Sequence, residues 1–337
     1  MNLQLPETAT ARGRLRGGTV GICGMRSCIE WALARLGAAI AVVVVSLGAA
    51  ASDAHAQSLE PRTYANTPVG LNFLIGGYGY MHYLVDPSVA LKDGDAKTHS
   101  ALLAYIRSLD LWGKSGQIGV VLPYGWLSAS GTIAATGERR TREVSGFGDP
   151  VLRVSVNLYG APALSLEEYA HYQQDTIVGV SLLMTAPLGQ YNPDKLANIG
   201  ANRWSFKPEI GISKALGRLT LEAATGVTFF TKNDEFFGGT TREQDPIYSV
   251  QGHLIYNFRS GIWAALDTTF YTGGRTTIDD VKRDDLQRNL RLGVTVALPV
   301  NRRNSIKLYW STGVYTRTGS EIDLAGVVWQ YRWGGSL

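Results

Sequence analysis

Apolar and polar residues alternate over several long stretches of the chain. Between 203 and 214 the even positions hold Trp204, Phe206, Pro208, Ile210 and Ile212, against Arg203, Ser205, Lys207, Glu209, Gly211 and Ser213. Between 247 and 258, Tyr248, Val250, Leu254, Tyr256 and Phe258 oppose Ser249, Gln251, His253 and Asn257. Between 287 and 298, Leu290, Leu292, Val294, Val296 and Leu298 oppose Gln287, Asn289, Arg291 and Thr295. A period of two means strands with one apolar and one polar face. Strands of soluble sandwiches usually run about five or six residues, whereas these stretches have the length a tilted strand needs to cross a bilayer.

Read this way, the chain predicts twelve strands, near 71–81, 97–110, 117–129, 148–159, 175–187, 202–215, 218–231, 246–258, 261–273, 286–298, 304–317 and 322–333. Odd-numbered connections are mostly long and polar (82–96, 130–147, 188–201, 232–245, 274–285). Even-numbered ones are mostly tight, as at Leu216-Gly217 and Arg259-Ser260. Long-short alternation with an even strand count is the pattern of an all-β, antiparallel up-and-down transmembrane barrel with long outer loops and short periplasmic turns. Connection 160–174 breaks the pattern. There Ser165 precedes Glu168 at capping-box spacing, which predicts a short periplasmic helix. Trp112, Phe258 and Trp333 fall beside predicted periplasmic turns, and Trp126 and Trp204 at the outer rim, as two aromatic girdles require. Trp263 falls on the inward parity.

The first 56 residues do not share the alternation. From Met25 the chain reads Met25-Arg26, Arg35, the apolar run Leu36 to Ala51 and then Ala54-His55-Ala56. A basic start, a short apolar core and a small-x-small site describe a secretory signal peptide. A membrane-spanning helix needs about 20 apolar residues, and Asp53 and His55 cut this run short. The expected organisation is a removed leader and extension (1–56), a periplasmic N-terminal segment (57–70) and a barrel (71–335) in the outer membrane of a Gram-negative bacterium.

Composition narrows the chemistry. The leader holds Arg12, Arg14, Arg16, Arg26 and Arg35 against Glu7, Glu30 and Asp53, so removing it takes the net charge from +4 to +2. The sequence pI near 9.0 is therefore partly a leader effect, and no nucleic-acid partner is expected. Both cysteines, Cys23 and Cys28, lie in the leader. The rest of the chain has no thiol for a disulfide, a metal or catalysis. Charged residues make up 18%, below the usual quarter. His82, His99, His171 and His253 show no metal-ligand spacing, and neither a metal nor another cofactor is expected. A barrel lipase would need Ser, His and an orienting group converging on the lipid-facing wall; His253 instead shares the inward parity with Gln251 and Asn257. Asp279, Asp280, Asp284 and Asp285 flank Lys282 and Arg283 in a predicted outer loop, and Gly76-Gly77-Tyr78-Gly79 reads as strand glycine.

The inward parity collects Arg153, Asn157, Lys207, Glu209, Glu222, Gln251, His253, Asp267, Asn289, Arg291 and Lys307 as the expected lumen lining. Mixed charges at low dielectric are expected to pair across strands and narrow the lumen. Twelve strands lie between the filled eight-stranded barrel and the open sixteen-stranded channel.

Gly146-Phe-Gly-Asp-Pro with Arg153-Val-Ser-Val-Asn-Leu-Tyr-Gly-Ala-Pro, and Asn202-Arg-Trp-Ser-Phe-Lys-Pro-Glu-Ile-Gly, resemble the meta-pathway phenol-degradation (MetA) family. Phe236-Phe-Gly-Gly, Gln244-Asp-Pro-Ile-Tyr and Tyr271-Thr-Gly-Gly-Arg look similar to the same family. The resemblance spans about 60–335 and implies an outer-membrane barrel that passes aromatic or other small hydrophobic compounds. It supplies no catalytic or binding residue. Three functions stay open from the residues: a channel or transporter for a small-molecule solute, a structural barrel whose loops bind partners, and a lipid-acting enzyme. Outer-membrane lipid and lipopolysaccharide are the surroundings all three imply.

Overall fold

The computed structural model describes residues 60–84, 91–133, 137–195, 197–258, 261–318 and 321–335. The expected leader lies outside them. The wall is made by β1 (Leu71–Leu84), β2 (Leu91–Leu111), β3 (Lys114–Ile133), β4 (Arg139–Phe147), β5 (Val151–Tyr159), β6 (Thr176–Thr185), β7 (Ser205–Leu216) and β8 (Leu219–Phe230). It continues through β11 (Ile247–Asn257), β12 (Trp263–Gly273), β15 (Gln287–Pro299), β16 (Asn304–Thr316) and β17 (Glu321–Gly334). All neighbours pair antiparallel, and β17 closes onto β1 from Gly334↔Leu71 to Glu321↔Leu84. Strands β4 and β5 share one wall position, because β3 pairs with β4 over 124–132 and with β5 over 116–121. The result is a closed barrel of twelve wall positions. Closure matters because an unpaired backbone group in lipid costs several kcal/mol.

The two faces follow the alternation. Ile210, Ile212, Val250, Leu254, Leu266, Leu292, Val294 and Leu308 are exposed on the outside, where only lipid can cover so continuous an apolar surface. Rings cluster at both rims. Tyr331 stacks with Trp333 and Tyr256 meets Phe258 edge-on at the short-turn end. Tyr124 packs between Trp126 and Phe147, and Trp204 on Phe206, at the other. Trp112, at the β2–β3 turn, is 89% exposed with φ +58°. Bulges break parity locally: the β15–β16 register shifts between Leu290 and Arg291 and the β5–β6 register between Asn157 and Tyr159. Consecutive Val314 and Tyr315 are therefore both exposed, as are Leu158 and Tyr159.

Three predicted loops are more regular than expected. Connection 130–147 is largely the extended β3–β4 hairpin, with β4 paired from Thr132↔Arg139 to Tyr124↔Phe147. Connections 232–245 and 274–285 supply β9 (Asn233–Phe236), β10 (Thr240–Gln244), β13 (Thr276–Ile278) and β14 (Val281–Lys282), which form a second, four-stranded sheet. Its buried positions include Phe236 and Ile278, which form a small apolar cluster, but also Asn233, Arg242, Gln244 and Thr276, so no long apolar–polar alternation marks it. The acidic run serves the turns: Asp279 and Asp280 take φ +46° and +63° between β13 and β14. Asp279 accepts from the Thr241 N–H, and Asp285 from the Thr276 N–H, each at 2.8 Å.

Connection 160–174 contains α1 (Leu166–Tyr169) with the expected capping box: Ser165 Oγ accepts from the Glu168 N–H while the Glu168 carboxylate accepts from the Ser165 N–H. That backbone bond, and after it the hydroxyl, holds the Glu168 carboxyl below the usual carboxylate range.

Candidate functional site: the barrel lumen

Inward side chains form rows set by strand register. One row runs Ile177, Ser213, Glu222, His253, Asp267; the next Gly179, Gly211, Ala224, Gln251, Thr269, Arg291; the third Ser181, Glu209, Gly226, Ser249, Tyr271, Asn289. Asn157, Lys207, Glu209, Glu222, Gln251, His253, Asp267, Asn289 and Arg291 are all buried, and Arg153 and Lys307 are half-buried on the same side. The structure thus brings the eleven inward residues into one lumen.

Their charges pair differently from the expected cross-strand ladder. Lys207 Nζ lies 3.0 Å from Glu209 on its own strand. Glu209 also accepts from Gln251 at 2.8 Å. Only His253 and Asp267 pair across strands, Nδ1 to Oδ1 at 2.6 Å, and Thr295 donates to the other Asp267 oxygen at 2.6 Å. Arg291 donates to the Ser311 hydroxyl at 3.0 Å, and Asn289 to the Tyr271 hydroxyl at 2.8 Å. The remaining charges turn to a partner that the parity did not contain, the N-terminal segment.

Residues 60–70 enter the lumen and line its wall. Arg153 Nη1 reaches Glu60 at 2.8 Å, and the Arg62 N–H donates to Glu222 at 2.7 Å. Arg62 takes φ +68°, stacks 4.8 Å over the inward ring of Trp263 and bonds Asn257. Tyr64 is 3% exposed, and its hydroxyl lies 3.0 Å from Glu209 and 3.2 Å from Ser181. Farther on, Val69 N–H donates to the Leu164 carbonyl and Leu71 N–H to Ser108 Oγ. The Tyr64 ring rests where the wall has no side chains. A Cβ at Gly179 would lie 2.3 Å from it and one at Gly211 2.1 Å. Beside the segment is a small polar cleft, with room for about one water molecule, lined by Glu60, Thr63, Tyr64, Glu209, Glu222, Gln251 and His253 among others.

Toward the long-connection end, β4 and β5 are separated by Gly148-Asp149-Pro150, where the Gly148 N–H donates to the Pro123 carbonyl at 2.9 Å. The buried Asp149 carboxylate accepts from the Gly189 N–H at 2.8 Å and the Ala201 N–H at 2.7 Å. It thereby ties both ends of connection 188–201 to the wall, and Ile199 approaches the inward faces of Gly125 and Gly148. A second small cleft lies there among Asp149, Thr185, Ile199, Ala201, Arg203, Ser205 and Phe230. Replacing Asp149 by alanine removes both bonds, each worth about 1.5–3 kcal/mol for a charged acceptor. Limited proteolysis is then expected to cut within 188–201 in the variant and not in the parent.

The family model described as "Putative MetA-pathway of phenol degradation" matches residues 79–329. The chain belongs to this family. Among solved structures it is similar to an outer membrane channel from Pseudomonas putida F1, with 22% identity and a TM-score of 0.70 over 82% of this chain and 100% of that one. It is also similar to the transport unit of the autotransporter AIDA-I from Escherichia coli (8%, 0.52, 85% and 98%). The translocator domain of the autotransporter NalP from Neisseria meningitidis is a third (9%, 0.50, 94% and 100%). No curated protein matches the chain. These likenesses share the barrel fold, and this MetA-family chain is an outer-membrane β-barrel.

Sequence reasoning missed three groups of lumen residues in this family member. Glu60, Arg62 and Tyr64 sit in a segment without periodicity, so nothing local marks them as lumen residues. Asp149 follows a glycine and precedes a proline, which hides it in an apparent turn. Gly179 and Gly211 did carry a signal: glycine at inward positions of two adjacent strands marks a close approach by another group.

Proposed function

We propose that this barrel is a channel for small aromatic or hydrophobic compounds, with the lumen as the route and the long connections outside the cell. The observation that carries this reading is how the lumen is closed. A wall packed shut by its own side chains would suit a structural barrel. Here the narrowing element is a chain segment held by polar bonds at Glu60, Arg62 and Tyr64, with small clefts beside it and beyond it. Such bonds exchange with water at modest net cost, so the segment can yield to a solute. The His253–Asp267–Thr295 chain supports a structural role for the histidine rather than catalysis, since it lies on the lumen side and braces β11, β12 and β15. Lys307, half-buried at the short-turn end, stands as a fixed positive charge beside the route.

Single-channel recording tests the reading. Lys307→Ala should leave a heat-modifiable barrel whose ion preference moves toward cations. Cysteines introduced at Gly238 and Glu168 test the orientation. On intact cells, maleimide should label residue 238 and spare residue 168. Labelling of 168 alone would invert the barrel, and a parent that conducts no ion or solute would end the channel reading.

A further inference from the structure

One of the side chains that the entering segment places in the lumen is a phenol, Tyr64. The Tyr64 ring packs closely onto the paired glycines Gly179 and Gly211, with Ala224 against the same cluster. Its hydroxyl meets Ser181 and Glu209, one row farther along the same strands. Lys207 at 3.0 Å and the Gln251 amide at 2.8 Å hold the Glu209 carboxylate in place. The wall therefore offers a glycine-lined slot for an aromatic ring, ending in a fixed, charge-assisted acceptor for one hydroxyl. Two further features distinguish this slot from simple packing. A small cleft, with room for about one water molecule, lies directly beside the ring. Gln251, 8% exposed, lines that space with its Oε1 buried and without a hydrogen-bond partner among the described residues.

We infer that this slot is a binding site for phenols, meaning single aromatic rings that carry a free hydroxyl, and that Tyr64 is a tethered occupant which such a solute displaces. This rests on the channel reading for its use in transport, but binding can be measured without transport. An apolar ring lacking the hydroxyl would leave Glu209 facing it without its donor, the loss that lets a polar site reject a close analogue. The free ligand that copies the tyrosine side chain is 4-cresol, and toluene is the same ring without the hydroxyl.

The test uses the purified, heat-modifiable barrel in detergent, with thermal unfolding followed against ligand concentration. Tyr64→Ala empties the slot and should bind 4-cresol at least about ten-fold more tightly than toluene, a difference of about 1.4 kcal/mol. The parent, with its slot occupied, should bind 4-cresol more weakly than the variant. Equal binding of the two ligands by Tyr64→Ala, or binding of neither, overturns the proposal. Thr63→Cys provides a second measurement in a chain that keeps Tyr64, because the sequence after residue 56 has no cysteine. Maleimide labelling there should accelerate with 4-cresol and not with toluene. No acceleration overturns the proposal, even where Tyr64→Ala yields no folded barrel. A variant that binds 4-cresol in a protein that never conducts keeps the site and removes the channel, whereas conduction without cresol binding does the reverse.

Discussion

Gly211→Val is expected to raise the single-channel conductance several-fold while moving the denaturation midpoint little. The Cβ of any residue at 211 lies 2.1 Å from a ring carbon of Tyr64, far inside van der Waals contact. The ring already rests against the backbone of Gly179 on the paired strand, packed so closely that even one added carbon there would lie 2.3 Å from it, so it has little room on that side. It must leave the slot and give up its bonds to Glu209 and Ser181. Burial of the ring is worth about 1.5–3 kcal/mol, and a hydrogen bond to a charged acceptor about 1.5–3 kcal/mol. The released segment regains about 1–2 kcal/mol of backbone freedom per residue, so much of the loss cancels in the overall stability. Valine itself suits a strand, and the wall hydrogen bonds do not involve the side chain. Gly252→Ala is the control: it lies on the lipid-facing parity of β11, and its Cβ meets nothing nearer than 3.4 Å. Conductance equal to the parent in a folded Gly211→Val barrel would show that the segment is not what narrows the lumen.

The barrel was legible because lipid imposes one rule on every strand. Outward residues must be apolar, so period two persists over long stretches and parity identifies the lumen side. The eleven inward residues fall where that rule puts them, and even Trp263, anomalous as a girdle residue, proved to be a lumen ring stacked on Arg62. Parity says nothing about what meets inside. Lys207 pairs along its strand and Arg153 pairs with Glu60, because register and the entering segment decide distances while alternation decides only the side. The loop sheet was hidden for a related reason. Strands β9, β10, β13 and β14 lie beyond the wall, and beside the small Phe236–Ile278 cluster they bury Asn233, Arg242 and Gln244, so no regular apolar face marks them. The β4–β5 position was misread as loop plus strand because Gly148-Asp149-Pro150 carries turn chemistry in the middle of one wall position.

Asp267→Ala should cost the barrel about 2–5 kcal/mol, the largest stability loss expected from one lumen side chain. Asp267 is 3% exposed and serves two donors on two neighbouring strands, His253 Nδ1 on β11 and Thr295 Oγ1 on β15. Alanine leaves both without an acceptor at positions 7% and 2% exposed. A buried donor left unpaired loses more than its bond was worth, because water no longer reaches it to compensate. Asparagine keeps one acceptor oxygen, so Asp267→Asn should lie between the parent and the alanine variant. Removing the other partners with the carboxylate should recover part of the loss. In Asp267→Ala with His253→Leu and Thr295→Val, the orphaned donors are gone and the row becomes apolar. Guanidinium unfolding of the refolded barrel, followed by the heat-dependent gel shift, gives the four values. If the triple variant is no more stable than Asp267→Ala, the loss comes from packing around the carboxylate and not from stranded donors. If Asp267→Ala unfolds with the parent, the chain braces nothing, and its three residues are free for a role in the route itself.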